Sequence, residues 1–201
     1  MTLTAHQVSF EREEKPLIQN FSHTLHAGSV LLLRGKNGSG KTTLLKILAG
    51  MTPPTQGSVS WNGVTLSEER TQIARHFCYV GHKNALHPNL TARENLSFLA
   101  ESYPLRSTLE YALQAVGMLS LSHLPLHTLS AGQKRRISLA KLVFLDTPLW
   151  FLDEPDAALD PEGIALVDCL IAEHIARQGS VVMTTHHDHT FSSHHYTHLL
   201  P

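Results

Sequence analysis

Hydrophobic and polar residues alternate loosely through Thr4 to Phe10 and again through Asn20 to His26, with the charged stretch Glu11 to Lys15 between them and Gly28 after them. A period of two buries one face of a strand, so a strand hairpin is expected at the start of the chain. Val30 to Leu33 is instead continuously apolar and ends at Gly35, which reads as a buried strand; a Gly-rich segment follows and leads into an apolar helix from Thr42 to Ala49, stopped by Gly50. Pro53, Pro54 and Gly57 mark a loop, Val59 to Trp61 before Asn62-Gly63 reads as a short strand with a tight turn, and Phe77 to Val80 as another buried strand.

From Leu90 to Leu129 the apolar positions Leu96, Leu99, Leu109, Leu113 and Val116 follow helical spacing, broken near Pro104 and Pro125. A small helical lobe over residues 88–130 is therefore expected within a single domain, with 1–87 and 131–201 as its core. A helix from Ser130 carries Ile137, Ala140 and Phe144, and Leu149 to Leu152 is a core strand. Pro161 opens a helix that Gly179 ends, Val181 to Thr185 is the next strand, and Tyr196 to Leu200 a short last one. Strands alternating with helices imply an α/β fold with a mostly parallel sheet covered on both faces.

Composition narrows the partners. The 201 residues carry 16 Lys+Arg against 17 Asp+Glu, which removes the basic field that nucleic acid would need. No apolar run approaches the roughly 20 residues that span a bilayer, and Met1 to Glu14 lacks a secretory pattern, so a cytosolic chain is expected. Cys78 and Cys169 show no C-x-x-C pairing and read as packing residues. Histidine is abundant at 15 copies, and His186, His187, His189, His194, His195 and His198 crowd the end of the chain; without nearby thiolate or carboxylate at ligand spacing they read as a polar terminus rather than a metal or haem site.

Gly35-Lys36-Asn37-Gly38-Ser39-Gly40-Lys41-Thr42 is a complete G-x-x-x-x-G-K-[ST] phosphate loop between an expected strand and an expected helix. Backbone N–H groups of such a loop turn inward around a β-phosphate, and the helix N-terminus adds partial positive charge. Lys41 is expected to reach the β- and γ-phosphates and Thr42 to ligate Mg²⁺, with Thr43 beside them in the nucleotide-binding set. Leu149-Trp150-Phe151-Leu152-Asp153-Glu154 sets two carboxylates just past a buried strand, where Asp153 can hold the metal and Glu154 can polarise water.

Leu129-Ser130-Ala131-Gly132-Gln133 satisfies an S-x-x-Q capping box, yet its place between the phosphate loop and the Asp-Glu strand resembles the signature sequence of the ATP-binding cassette (ABC) ATPases. The resemblance implies an α/β P-loop NTPase of ABC type, with a small antiparallel β part and a helical lobe. It also implies that Ser130, Gly132 and Gln133 of one subunit meet the γ-phosphate held by the other, in a homodimer that sandwiches ATP. Ala158-Leu159-Asp160 then looks like the loop that communicates between the two sites, and His186 like the family's switch histidine. His82 stands where the family has a glutamine, and Phe10 is the nearest aromatic for stacking on adenine, although Arg12 also fits by count. Lys134, Arg135 and Arg136 read as a solvated helix face.

Gly81-His82, Leu90 to Leu96 and Leu129 to Arg136 together look like the ATPase subunits of bacterial cytochrome c maturation. That resemblance implies hydrolysis of ATP with Mg²⁺ coupled to haem export or to release of a haem-loaded chaperone, inner-membrane transporter subunits as partners, and a peripheral position on the cytoplasmic face of the inner membrane. The ATPase subunit of another small bacterial ABC transporter is the nearer alternative; a soluble ABC ATPase acting on DNA or ribosomes is the more distant one, and the chain lacks the tandem cassettes, basic arms or coiled-coil insertions such relatives show.

Overall fold

The computed structural model describes residues 1–187, 189 and 195–200. Along the chain run β1 (Thr2–Arg12), β2 (Lys15–His26), β3 (Val30–Arg34), α1 (Lys41–Leu48), β4 (Gln56–Trp61), β5 (Val64–Thr65), α2 (Arg70–Ala74) and β6 (Phe77–Val80). Then come α3 (Ala92–Ala100), α4 (Leu109–Ala115), α5 (Ala131–Phe144), β7 (Leu149–Asp153), α6 (Pro161–Ala176), β8 (Ser180–Thr184) and β9 (His195–Leu199).

The first two strands pair as far as Arg12 with Lys15, beyond the alternating stretch, because ladder bonds join backbone whatever the side chains are. With β4 and β5 they form an antiparallel sheet in the order β2-β1-β4-β5. The second sheet is wholly parallel among its described strands, in the order β6-β7-β8-β3-β9. Its apolar runs are explained by two cores, one on each side. Val30 and Leu32, Trp150 and Leu152, and Val181 and Met183 pack with α3, α4, α5 and α6. Leu31 and Leu33, Leu149 and Phe151, and Val182 pack instead with α1 and the antiparallel sheet. Each such fully buried side chain contributes about 1.5–3 kcal/mol relative to exposure.

Residues 88–130 hold less helix than the spacing of apolar residues indicated. Two short helices, capped by Thr91 and Thr108, are joined by an irregular stretch, and two 3-10 turns follow. α3 stops at Ala100, before Pro104, and the chain past that proline satisfies the open carbonyls at the end of α5: Arg106 N–H donates to Phe144 O at 2.9 Å and its guanidinium to Leu142 O at 2.6 Å. α2, unforeseen from the sequence, buries only Ile73 and is too short to show a period. His194 lies outside the described residues.

Candidate nucleotide site

Side chains cap the N-termini of α3, α4, α5 and α6, but α1 begins at Gly40, in left-handed backbone and without a side-chain cap. The first N–H groups of α1 are thus left for a ligand, and the helix dipole favours an anion there. Gly35 is required by crowding, since a Cβ would stand 2.6 Å from Ser39 Oγ and 2.8 Å from Leu200 O. Gly38 (φ 86°) and Gly40 (φ 95°) adopt backbone that other residues resist. Lys41 is buried and folds back along the loop, donating to Gly35 O (2.8 Å) and Lys36 O (3.0 Å). Those carbonyls hold the ammonium at the loop, so a phosphate has only to replace them. Ser39 Oγ, also buried, has no hydrogen-bond partner among the described residues, which suits a loop shaped for phosphate oxygens.

The parallel sheet delivers the acids. Asp153 ends β7 almost wholly buried, and its Oδ1 accepts from Thr42 Oγ1 at 2.9 Å and Thr184 Oγ1 at 2.8 Å. A carboxylate beside a hydroxyl at the phosphate loop is a hard-oxygen donor pair that fits Mg²⁺, an ion that takes few protein ligands beside phosphate oxygens. Glu154 follows in left-handed backbone (φ 48°), with its N–H bonded to Thr184 O (3.1 Å) and Thr184 Oγ1 (3.0 Å). Such a conformation costs on the order of 1–3 kcal/mol and persists only where its surroundings fix it. It sends the Glu154 carboxylate between two imidazoles, His186 Nε2 at 3.3 Å and His82 Nδ1 at 3.4 Å.

These groups share one cavity of about 720 Å³, lined by the phosphate loop with Thr43, by His82, Glu154 and His186, and by the hairpin turn from Arg12 to Leu17. Phe10 is not part of that lining; it packs against the core beneath the antiparallel sheet. Phe10 and Arg12 are two residues apart on one strand, so they share a face by alternation, but the strand pairing is irregular between Val8 and Glu11. Of the two residues the sequence offered for the base, the fold thus puts Arg12 at the cavity.

The signature residues stand elsewhere. Ser130 Oγ accepts from Gln133 N–H at 3.2 Å and Gln133 Oε1 accepts from Ser130 N–H at 2.9 Å, so the capping box exists as well. Ser130, Gly132, Gln133 and Asp160 do not line the cavity that holds Lys41. A Cβ on Gly132 would lie 3.0 Å from Ala158 O, and Arg136 Nη2 donates to Asp160 Oδ1 at 2.8 Å, which ties the two segments together. Bonds from Arg136 and from Gly163 N–H hold the Asp160 carboxyl below its usual range.

The sequence profile of the ABC transporter family matches residues 18–157. The chain belongs to the ABC transporter family. It is 43% identical over 179 residues to the cytochrome c biogenesis ATP-binding export protein CcmA of Pseudomonas fluorescens, covering 88% of this chain and 85% of that one. With the CcmA of Haemophilus influenzae it shares 37% identity over 96% of this chain and 92% of that one. Among solved structures it is similar to an ABC transporter ATP-binding subunit (TM-score 0.83, 24% identity, 92% and 80% of the two chains). It is also similar to the dimeric structure of a bacterial ABC transporter cassette (TM-score 0.79, 25% identity, 92% and 88% covered). As a family member it binds and hydrolyses ATP.

Two features of this ABC ATPase carry no signal in the linear sequence. Arg135, expected on a solvated face with its neighbours, is 2% exposed. Alternation of charge cannot reveal this; only the turn of α5 toward β7 does, and Arg136 is likewise engaged by Asp160. The second feature is a polar knot behind His186. His189, one of the residues expected in an idle polar terminus, has a buried side chain lying 3.3 Å from Asp156 Oδ2 and 2.6 Å from Asp168 Oδ1, with Thr185 Oγ1 at 3.1 Å from its Nε2. Its bond to Asp156 raises its pKa against the effect of burial, with Asp168 adding to the rise. For Asp156, burial acts upward but bonds from His189 and Thr185 win, and its carboxyl titrates below the usual range. The knot pins the loop that presents His186. Among the described residues no group of three or more His, Cys, Asp or Glu side chains is arranged to hold a metal ion.

Proposed function

We propose that this chain is the ATPase subunit of an inner-membrane transport complex serving cytochrome c biogenesis, and that it works as a dimer with two ATP molecules between the subunits. The observation that carries the cellular role is the 43% identity, over most of both chains, to a protein named for cytochrome c biogenesis export. No described helix is long and apolar enough to cross a membrane, which fits a peripheral subunit on the cytoplasmic face that docks on separate membrane subunits.

Within each site Lys41 leaves the Gly35 and Lys36 carbonyls for the β- and γ-phosphates, while the free N–H groups of α1 surround the β-phosphate. Thr42 and Asp153 would hold Mg²⁺, which supplies charge neutralisation at the phosphate oxygens. Arg12 and Leu17, at the cavity beside the phosphate loop, are assigned to the base, because a guanidinium plane stacks on an aromatic ring. Glu154 polarises a water for in-line attack on the γ-phosphorus: the new P–O bond forms from that water as the bond to ADP breaks. His186 donates to the γ-phosphate, and His82 holds the other side of the Glu154 carboxylate. Ser130, Gly132 and Gln133 complete the facing subunit's site, which accounts for their standing outside the cavity of their own chain. Asp160, bound to Arg136 of the signature helix, is assigned to communication between the two sites.

The test is made in cells whose only copy of the chain carries Lys41→Ala. Apocytochrome c is expected to accumulate without conversion to the haem-bound form, read by haem staining of membrane fractions. Normal covalently haem-bound cytochrome c would reject the cellular role and leave the ATPase chemistry standing.

A further inference from the structure

The guanidinium of Arg135 is enclosed by acceptors. Nε donates to Pro155 O at 3.0 Å, Nη1 to Gly81 O at 2.7 Å and Asn84 Oδ1 at 3.2 Å, and Nη2 to Asp153 O at 2.9 Å and Glu154 O at 2.5 Å. Every N–H this side chain owns therefore has a partner. Three of the acceptors are consecutive carbonyls that flank and include Glu154, the residue held in left-handed backbone. Carbonyl dipoles gathered at one point repel one another unless a cation sits among them, and here the cation comes from the signature helix α5. The remaining two acceptors belong to the loop of His82, the imidazole 3.4 Å from the Glu154 carboxylate. None of these bonds goes to the imidazole or the carboxylate; they hold the backbone beneath both.

We propose that Arg135 is a positioning residue that fixes the Glu154 carboxylate and the His82 loop in register for attack on the γ-phosphorus. The proposal rests on the reading of Glu154 as the group that polarises water. Phosphoryl transfer depends on placement more than on covalent help, and a displacement of about 1 Å costs as much as 100-fold in rate. Arg135 does not line the cavity, so it offers the nucleotide no direct contact to lose. Its loss should lower kcat and leave binding alone. Lysine keeps the charge but offers three donors without the planar fork, and so restores only part.

The full chain is compared with Arg135→Met, Arg135→Lys and Glu154→Gln, using steady-state ATP hydrolysis, titration with a fluorescent ATP analogue and thermal melts. For Arg135→Met we expect kcat to fall by about 30- to 100-fold with analogue affinity within about twofold, and for Arg135→Lys a recovery to within about tenfold of the parent. A folded Arg135→Met with kcat within about threefold of the parent would overturn the proposal, as would a lysine variant no better than methionine. Should Arg135→Met fail to fold, Arg135→Lys alone decides: a kcat lowered at least about threefold at unchanged affinity supports positioning, and an unchanged kcat overturns it. Glu154→Gln separates the two readings. If it hydrolyses ATP at the parent rate, the Glu154 assignment fails and takes the proposal with it; if it is inactive beside a fully active Arg135→Met, only the proposal fails.

Discussion

Asp153 carries two loads at once, and a pair of substitutions separates them. Its Oδ1 receives the Thr42 and Thr184 hydroxyls in a nearly solvent-free position, while the same carboxylate is assigned to Mg²⁺. Asp153→Ala strands both donors. Thr42 is exposed and can turn to water, whereas Thr184 is fully buried, so one unsatisfied group remains, at about 1–3 kcal/mol. The lost side-chain volume adds to this, and a total near 2–4 kcal/mol corresponds to about 4–16 °C in Tm for a chain of this size. Asp153→Asn keeps an oxygen at the Oδ1 position and should cost only about 1 kcal/mol, the gap between a charged and a neutral acceptor. Both variants lose the metal's anionic ligand, and both should turn over ATP at least about 100-fold more slowly. Thermal melts are to be read beside ATPase rates over a Mg²⁺ titration. Parent-level turnover by Asp153→Asn would refute the metal assignment, and an asparagine variant as unstable as the alanine one would refute the hydrogen-bond reasoning.

Glu154→Gln should bind ATP and Mg²⁺ yet hydrolyse at least about 100-fold more slowly, so that size-exclusion chromatography with ATP shows an accumulated dimer; a monomeric profile with full hydrolysis would sink the assignment. Ser130→Arg should leave analogue binding by the monomer unchanged and abolish hydrolysis, because it obstructs only the facing site; a parallel loss of monomer binding would make Ser130 a fold element. Acid sensitivity should trace to His174, stacked on Trp150 at 3.7 Å and pushed down by burial from 6.5 to about 4. Its neutral form is the folded one, so the stability it carries is complete above 6.5 and falls as pH drops toward the folded value. Between pH 7.5 and pH 5 that amounts to about 2 kcal/mol, or about 4–8 °C in Tm, and His174→Phe, which keeps a ring on Trp150, should lose this part of the drop; equal drops in both proteins would reject it.

The parts whose chemistry is local can be read from the residues in order. The phosphate loop is legible because its glycines, lysine and threonine act within eight consecutive positions, and the capping box at Ser130 because it spans four. The continuous apolar runs of β3, β7 and β8 announced a sheet covered on both faces, since every side chain of such a strand must be buried. Tertiary structure decided whatever depends on pairs remote in sequence. Only the meeting of β7 and β8 shows that Thr184 shares Asp153 with Thr42, and only the packing of α5 on β7 converts Arg135 from one basic residue among three into a buried clamp. Arg12 rather than Phe10 lines the cavity, on a strand whose pairing is irregular between Val8 and Glu11, and no count of positions supplies that. His189 likewise looked idle until the fold brought Asp156 and Asp168 to it. Charge on a linear pattern says nothing about which carbonyls or carboxylates will surround it, and that is settled by the three-dimensional path of the chain.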